Sequence, residues 1–243
     1  MKNQKFLVHI SLTLLLISSC VQEHIINDVS FGEENLIEEE HYLNYSIGDG
    51  PFVNFEDVTF KKILLSDFKI NTNKDNEISI QEATLFDGNI DVSRKGIWSL
   101  VGIENFVNIE SLNCGNNSIK TLDLTKNIHL TSLGCGNNPF NKIDLTKNSN
   151  IKHLDIRTTN LVTLDLSKNV NLITVRAMCN NKLKFVNVKN NYNTNILIFF
   201  FDYLNDNLEC VQVDNVNFSE STTNWFIGSK ATYSLDCSYG SRN

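Results

Sequence analysis

The stretch TLDLTKNIHLTSLGCGNNPFNKIDLTKN, residues 121–148, contains the phrase DLTKN twice. The copies begin at Asp123 and Asp144, 21 residues apart. Between them lies SLGCGNN, and the related SLNCGNN stands 21 residues upstream of it. A fixed period near 20 residues is typical of solenoids, in which one repeat cannot bury its apolar side chains without its neighbours. The repetition therefore predicts a stack of coils.

Each period contains two phrases, and each phrase opens with two apolar residues separated by one other residue. The first phrases begin at Leu112, Leu133, Leu154 and Val175, and the second at Leu122, Ile143, Leu164 and Val186. Such a segment predicts a short strand whose two apolar side chains face inward, so every coil is expected to carry a strand on each of two sides.

An Asn follows five positions after nearly every phrase begins, with Thr159 as the exception. An inward amide at that place can bond backbone groups that the turn exposes, and stacked copies would form a ladder. The expected ladder residues are Asn117, Asn138 and Asn180 in the first phrases and Asn127, Asn148, Asn169 and Asn191 in the second.

Composition and motifs argue against several classes of function. A formal net charge of −7 is unfavourable for an electrostatic nucleic-acid binder. The five His show no metal-ligand spacing, and the chain has no phosphate-binding glycine loop or nucleophile motif. Asp123, Asp144 and Asp165 recur with the phrase itself, which favours a structural or solvated role over a carboxylate site. The sequence therefore predicts no enzyme and no required cofactor.

The repeat resembles the leucine-rich repeat L-x-x-L-x-L/C-x-x-N-x-L, in particular the short bacterial form in which L-x-x-L-x-C-x-x-N alternates with L-x-x-L-D-L-x-x-N. The resemblance covers roughly residues 90–237, and we assign the repeats to 90–209. It implies a right-handed, β-rich solenoid, usually classed α/β, with a parallel sheet on its concave face, a small helical N-terminal cap and a C-terminal cap. Members of this family usually bind other macromolecules and are seldom enzymes. The phrase is broken in ILIFFFDYLNDNLEC, residues 196–210.

The N-terminal segment resembles the signal of bacterial lipoproteins. The basic MKNQK precedes a 12-residue apolar run, which suits a signal-peptide core and is short for a membrane span. ISSC then resembles a lipobox, which implies a signal peptide over residues 1–19 and a lipid on Cys20; the alternative is an ordinary signal peptide with a chance Cys. Val21 favours the outer membrane of a Gram-negative cell, so we expect a lipid-anchored protein at the outer membrane or cell surface. The acidic residues 20–52 are expected to be a tether.

Residues 53–89 are expected to form a helical N-terminal cap, because VNFEDVTFKKILLSDF has an amphipathic pattern. The following NTNKDNEISIQE resembles an EF-hand loop. The resemblance implies a weak Ca²⁺ site with six ligand positions, at Asn71, Asn73, Asp75, Glu77, Ser79 and Glu82. Asn71 replaces the usual Asp, and Asn76 replaces the Gly of the sharp turn, a conformation that Asn tolerates. The alternative is a loop that serves only as a cap.

The remaining cysteines fall into separate groups. Cys114 and Cys135 take the same inward position in adjacent coils and are expected to be buried thiols, whereas Cys179 lies off that register, in a turn. Residues 210–243 resemble the C-terminal cap that follows such bacterial repeats, where a disulfide is common. That resemblance and a secreted context imply a disulfide between Cys210 and Cys237.

A binding surface is expected on the side of the first phrases, where the outward residues change at every coil, while those of the second phrases barely change. The predicted face comprises Ser111, Asn113, Ser132, His153, Asp155, Arg157, Thr174, Arg176, Met178 and Phe200, with Gly134 and Gly136 as a shallow floor. We therefore expect a surface-anchored protein that binds a protein or another macromolecule without catalysis. The alternatives are a carbohydrate-capturing lipoprotein, which should expose Trp or Tyr on the sheet, and a structural spacer of the envelope, which should have uniform polar faces. Drift on an unused face would also produce the variation.

Overall fold

The computed structural model describes residues 50–201 and 203–237, which form a solenoid of parallel coils. Within this range, strands built from the first phrases form one seven-stranded parallel sheet: β1 Asn89–Asp91, β2 Ser111–Asn113, β3 Ser132–Gly134, β4 His153–Asp155, β6 Thr174–Arg176, β8 Ile198–Phe200 and β10 Trp225–Phe226. Leu112 pairs with Leu133, and Leu133 pairs with Leu154, so the 21-residue period of the sequence is the register of the sheet. The predicted leucine-rich-repeat solenoid is confirmed.

The second phrases form a parallel sheet only from the third coil onward. Its strands are β5 Thr163–Asp165, β7 Phe185–Asn187, β9 Cys210–Gln212 and β11 Thr232–Ser234. The strands predicted at Leu122 and Ile143 are wrong, since no backbone hydrogen bond between described residues joins residues 122–124 or 143–145 to a neighbouring coil. The Leu124 carbonyl, for example, accepts from the side-chain amide of Asn148 at 2.9 Å. The coils are joined there through the side-chain amides of the Asn ladder.

The last coils keep both ladders although the sequence phrase breaks. Ile198 pairs with Thr174, 24 residues earlier, so the extra residues are accommodated in the turns between strands. Asn205 then supplies an inward amide to the Phe201 carbonyl, at 2.7 Å. On the other side of the coil, the ladder position predicted for Asn191 belongs to Asn190, whose amide donates to the Asn169 carbonyl at 3.0 Å. Asn191 instead takes the left-handed backbone conformation, with φ of 66°, because this turn begins one residue earlier than in the preceding coils.

Two short helices and their connecting loop close the N-terminal end of the solenoid. Helix α1, Val58–Leu65, buries Phe60 and Leu64. Asp57 begins this helix by accepting from the Phe60 N–H, and its second oxygen accepts from the Trp98 N–H at 2.8 Å, which ties the helix to the first coil. Helix α2 spans Ile80–Leu85, and a 3₁₀ turn at Ile103–Asn105 leads into the repeats.

The C-terminal end is closed by aromatic packing and a disulfide. A second 3₁₀ turn, Asn193–Asn195, precedes β8, and helix α3, Val216–Ser221, precedes β10. Trp225 stacks on Phe199 with ring centroids 4.5 Å apart and donates from its indole N–H to the Ile196 carbonyl. The predicted Cys210–Cys237 disulfide is confirmed, with Cα atoms 5.9 Å apart.

The buried apolar residues form one continuous core from Val53 to Trp225. Cys114 and Cys135 lie in this core as fully buried free thiols. Cys179 takes the left-handed conformation, with φ of 62°, at a bend that follows β6. No helix in the two described ranges has both the length and the apolar character that crossing a membrane requires. Cys20, the signal peptide and nearly all of the expected tether lie outside the described residues.

Candidate functional site: the outward rows of the first sheet

The first sheet presents two rows of side chains to solvent, and neighbouring strands place equivalent residues side by side. One row contains Ser111, Ser132, His153 and Thr174, and the next contains Asn113, Gly134, Asp155 and Arg176. Most of the residues predicted for the binding face therefore come together on one surface. We call these two rows the sheet face.

Polar contacts within the sheet face hold some of its side chains in place. The Arg157 guanidinium donates from Nε to both oxygens of Asp155, at 2.8 and 3.1 Å, and forms a half-buried ion pair. His153 Nδ1 lies 3.0 Å from the Thr174 hydroxyl oxygen. Arg176 is exposed, and no hydrogen bond or ion pair joins its guanidinium to any other described residue. The sheet face thus has one cation whose charge is not satisfied by the described chain.

Two of the predicted face residues do not reach the surface. Met178 is 2% exposed, so its side chain is not available at the surface. Phe200 is 6% exposed, since the half-buried ring of Phe226 covers it at a centroid distance of 4.8 Å. Met178 is therefore removed from the face, and Phe226 takes the apolar position at the end of the row. Sequence reasoning missed Phe226 because the broken phrase hid the register of its strand.

Packing between neighbouring coils explains the glycines that were predicted to form a shallow floor. A Cβ on Gly136 would stand 2.8 Å from the Arg157 carbonyl oxygen, which is closer than real side chains approach backbone atoms. A Cβ on Gly134 would stand 3.1 Å from the Asn113 Oδ1. Gly136 is thus required for the close approach of two coils, independently of any ligand.

The EF-hand-like loop brings Glu82 back onto the start of the loop. One Glu82 oxygen accepts from the N–H groups of Thr72 and Asn73, and the other accepts from the N–H and hydroxyl of Ser79. Burial raises the pKa of the Glu82 carboxyl, but the hydrogen bonds from Ser79 and Thr72 outweigh it, so the pKa lies below its ordinary value. The carboxylate is therefore ionised and fixed at one end of the loop, while also capping helix α2.

Asn71, at the first position of the loop, has a buried acceptor without a partner. Asn71 is 4% exposed, and its side-chain amide donates to the carbonyls of Leu65 and Asp75. Its Oδ1 has no hydrogen-bond partner. The left-handed turn falls at Lys74, with φ of 61°, and not at Asn76 as predicted. No cluster of three or more His, Cys, Asp and Glu suited to a metal is found within the described part of the chain. Any cation here would depend on amide oxygens as well as carboxylates.

The predicted ligands at Asn73, Asp75 and Glu77 are engaged within the loop. The Asn73 amide donates to Asp75 Oδ2 at 2.7 Å, and the Glu77 N–H donates to Asp75 Oδ1 at 2.7 Å. Lys61 Nζ lies 2.6 Å from Glu77 Oε1. These contacts neutralise Glu77 and leave Asp75 and Glu82 as the loop carboxylates without an ion pair among the described residues.

A groove of about 630 Å³ lies on the side of the second phrases, where the first two coils form no strand. Its walls come from the turn before the first repeat and from residues 120–123, 141–144 and 163. Sequence reasoning missed this groove because it read both sides of every coil as strands.

Scans against protein-family models and curated proteins match nothing. The solved structures to which the chain is similar include three proteins of Listeria monocytogenes. The functional domain of InlJ, described as including a cysteine ladder, is 17% identical with a TM-score of 0.37, and the match covers 64% of this chain and 42% of that domain. The internalin InlF is 16% identical with a TM-score of 0.42, and the match covers 74% of this chain and 71% of InlF. The internalin C2, InlC2, is 15% identical with a TM-score of 0.31, and the match covers 73% of this chain and 97% of InlC2. The chain therefore spans less than half of the InlJ domain, and likenesses of this extent carry no inference about its partner.

Proposed function

We propose that this protein is a surface-anchored binding protein that recognises another protein through the sheet face. The observation that carries the proposal is the pair of adjacent solvent-facing rows, whose side chains vary from coil to coil except at Ser111 and Ser132 and include Arg176, a guanidinium without an ionic partner among the described residues. Arg is a frequent anchor in protein interfaces. No catalytic role is proposed for any residue.

The constant residues of the second phrases support the same assignment. Asp123 accepts from the N–H and hydroxyl of Thr125, and Asp144 accepts from the same groups of Thr146, at 2.7–2.9 Å. Because these pairs stabilise the turns of the scaffold, no ligand is required to explain why the same residues recur in successive coils. In the first phrases the residue at the equivalent place changes, from Asn113 to Gly134 and Asp155.

Site-specific photo-cross-linking in the native host tests the binding surface. A benzoylphenylalanine at Arg176 should trap a protein partner, whereas the same group at the exposed Lys147, in a second phrase, should not. Replacement of His153 by alanine should reduce the yield at position 176. Cross-links from position 147 alone would place the interface on the other side of the coils and contradict the proposal.

We also propose that the chain is held at the outer membrane or cell surface by a lipid on Cys20, a residue outside the described ranges. The lipobox-like ISSC supports this, and multiple acyl chains give stable anchoring. Cys20→Ala should abolish palmitate labelling, and labelling that persists in the variant would refute the anchor.

A weak Ca²⁺ site in the loop from Asn71 to Glu82 is a second proposal. The specific support is the buried Asn71 Oδ1 without a partner, in a loop whose next two residues, Thr72 and Asn73, bind the ionised Glu82 through their N–H groups. Bound Ca²⁺ would supply the missing partner and hold the two cap helices together. The few carboxylates predict a dissociation constant on the order of 10⁻⁴–10⁻³ M.

A further inference from the structure

The two rows of the sheet face become apolar where they reach β8. Ile198 lies beside Thr174 in one row, and Phe200 lies beside Arg176 in the other. Phe200 is buried beneath the half-buried ring of Phe226, and Ile198 is itself half-buried. Arg176 therefore borders an apolar surface on its C-terminal side.

The residues that precede the strands form a further row at the edge of the first sheet. The Ile173 N–H donates to the Lys152 carbonyl, and the Leu197 N–H donates to the Ile173 carbonyl, so these three residues follow one another across the strands. Lys152 is exposed, Ile173 is half-buried and Leu197 is 60% exposed. The edge row thus has the same order as the sheet face, with a cation first and apolar residues after it. We call Leu197, Ile198 and Phe226 the apolar end.

The two cations near the apolar end have no ionic partner in the described chain. Asp155 is already paired with Arg157, and no ion pair joins Arg176 or Lys152 to a described residue. A molecule that covers Ile198 also removes water from the neighbouring Arg176. Because a charge that loses water without gaining a partner is costly, binding is favoured when the molecule brings a carboxylate to Arg176.

From this arrangement we infer that the partner presents an extended segment in which an Asp or Glu and a bulky apolar residue are separated by one residue. Strands about 4.8 Å apart and a rise of about 3.3 Å per residue place the Cα atoms of Arg176 and Ile198 about 8 Å apart. Side chains two positions apart in an extended segment leave the same face about 6.8 Å apart. The carboxylate therefore reaches Arg176 while the apolar side chain packs on Ile198 and Leu197. This assignment rests on the proposed protein binding at the sheet face and specifies what the partner must present.

Cations beside apolar residues would also suit an anionic membrane, but the apolar end is small for that role. Of its three side chains, only Leu197 is more than half exposed, while Ile198 and Phe226 are half-buried. Membrane binding scales with the apolar area that enters the bilayer, whereas a few well-packed anchors dominate the energy of a protein interface. The observations therefore favour a protein segment.

Selection from a phage-displayed library of random dodecapeptides on the immobilised full chain tests the inference. Enriched peptides should carry Asp or Glu with Leu, Ile, Phe or Met two positions away, and this spacing should be more frequent than any other. Selection on Arg176→Glu should lose these peptides and enrich Lys or Arg in place of the acid. A library without enriched peptides, enrichment without an acidic residue, or the same peptides on Arg176→Glu would each overturn the inference.

Variants decide where the best-enriched peptide binds, with fluorescence anisotropy of the labelled peptide as the measurement. Arg176→Glu and Leu197→Asp should each weaken binding at least tenfold, with thermal unfolding measured to verify that both fold. Two matched controls should leave the affinity unchanged: Lys147→Glu in a second phrase, and Leu235→Asp at an apolar residue that follows β11 and is 53% exposed. Equal affinity of wild type and Arg176→Glu would contradict the assignment.

Two further results separate this inference from the proposed function. A protein trapped by benzoylphenylalanine at position 176 whose cross-linked segment lacks the acidic–apolar pair would overturn the inference and leave protein binding at the sheet face intact. Binding to phosphatidylglycerol vesicles that is lost in both Arg176→Glu and Leu197→Asp, without any peptide binding, would assign the apolar end to a membrane and overturn both.

Discussion

Gly136 shows how tightly single residues are constrained where two coils meet. Gly136→Ala should lower the free energy of unfolding by about 1–3 kcal/mol, because the added methyl group would overlap the Arg157 carbonyl at 2.8 Å and force the coils apart. Chemical denaturation measures the change. Gly115→Ala is the matched control, since its nearest backbone neighbour, the Gly136 carbonyl, lies at 3.3 Å and can yield. An equal loss in both variants would contradict the packing explanation.

The two core thiols should be unreactive while the protein is folded. Burial raises the pKa of the Cys114 thiol to about 12, and it raises that of Cys135 well above its ordinary value. At pH 8, iodoacetamide should therefore label neither thiol until denaturant is added, as mass spectrometry can show. An engineered thiol at the exposed Ser118 should be labelled at once. Since the folded state holds the Cys114 proton more tightly than the unfolded chain does, its contribution to stability is present below the ordinary thiol pKa of 9.0 and is lost as pH rises through about 12.

At the scale of elements, the loop between α1 and α2 should respond to calcium. Ca²⁺ at about ten times the dissociation constant should stabilise the chain by about 1.4 kcal/mol through mass action, which raises the melting temperature. Glu82→Gln should abolish this rise while keeping a side chain that can complete the capping box at Ser79. Differential scanning fluorimetry with Ca²⁺, with Mg²⁺ and with a chelator measures the change in melting temperature. An equal rise in wild type and Glu82→Gln would assign the effect to another site.

The sequence predicted the strands of the first sheet well because the apolar–x–apolar pattern and the regular spacing of the phrases indicate the same residues as strands. It failed at Leu122 and Ile143, which have the same apolar–x–apolar pattern and still form no strand. The pattern specifies which side chains point inward, and it does not specify whether backbone groups or ladder amides join the coils. Met178 was misplaced because alternation ends with the strand, and only the turn at Cys179 decides where the next side chain points. The groove lies where the strands at Leu122 and Ile143 are missing, so a reading phrase by phrase could not predict it.

At the scale of the whole molecule, the Cys210–Cys237 disulfide should contribute about 3–4 kcal/mol, because it closes a long loop in the unfolded chain. Replacing both residues by serine should lower the free energy of unfolding by that amount in an oxidising buffer. A reducing agent should destabilise the wild type more than the serine variant, in which only the disulfide bond of Cys179 remains to be reduced. Equal stability of the oxidised and reduced wild type would show that aromatic packing alone secures this end.

The geometry of the coils does not by itself limit how many coils can stack. Each coil offers the next one the same row of N–H and carbonyl groups, and a strand edge left open would accept the first coil of another copy as readily as its own successor. Head-to-tail contacts of that kind do not close and generate filaments. The two-residue length of β10 and the helices at the opposite end therefore limit growth as well as protect the core. A chain that loses either capping end should therefore polymerise, and fibres should form before the chain unfolds.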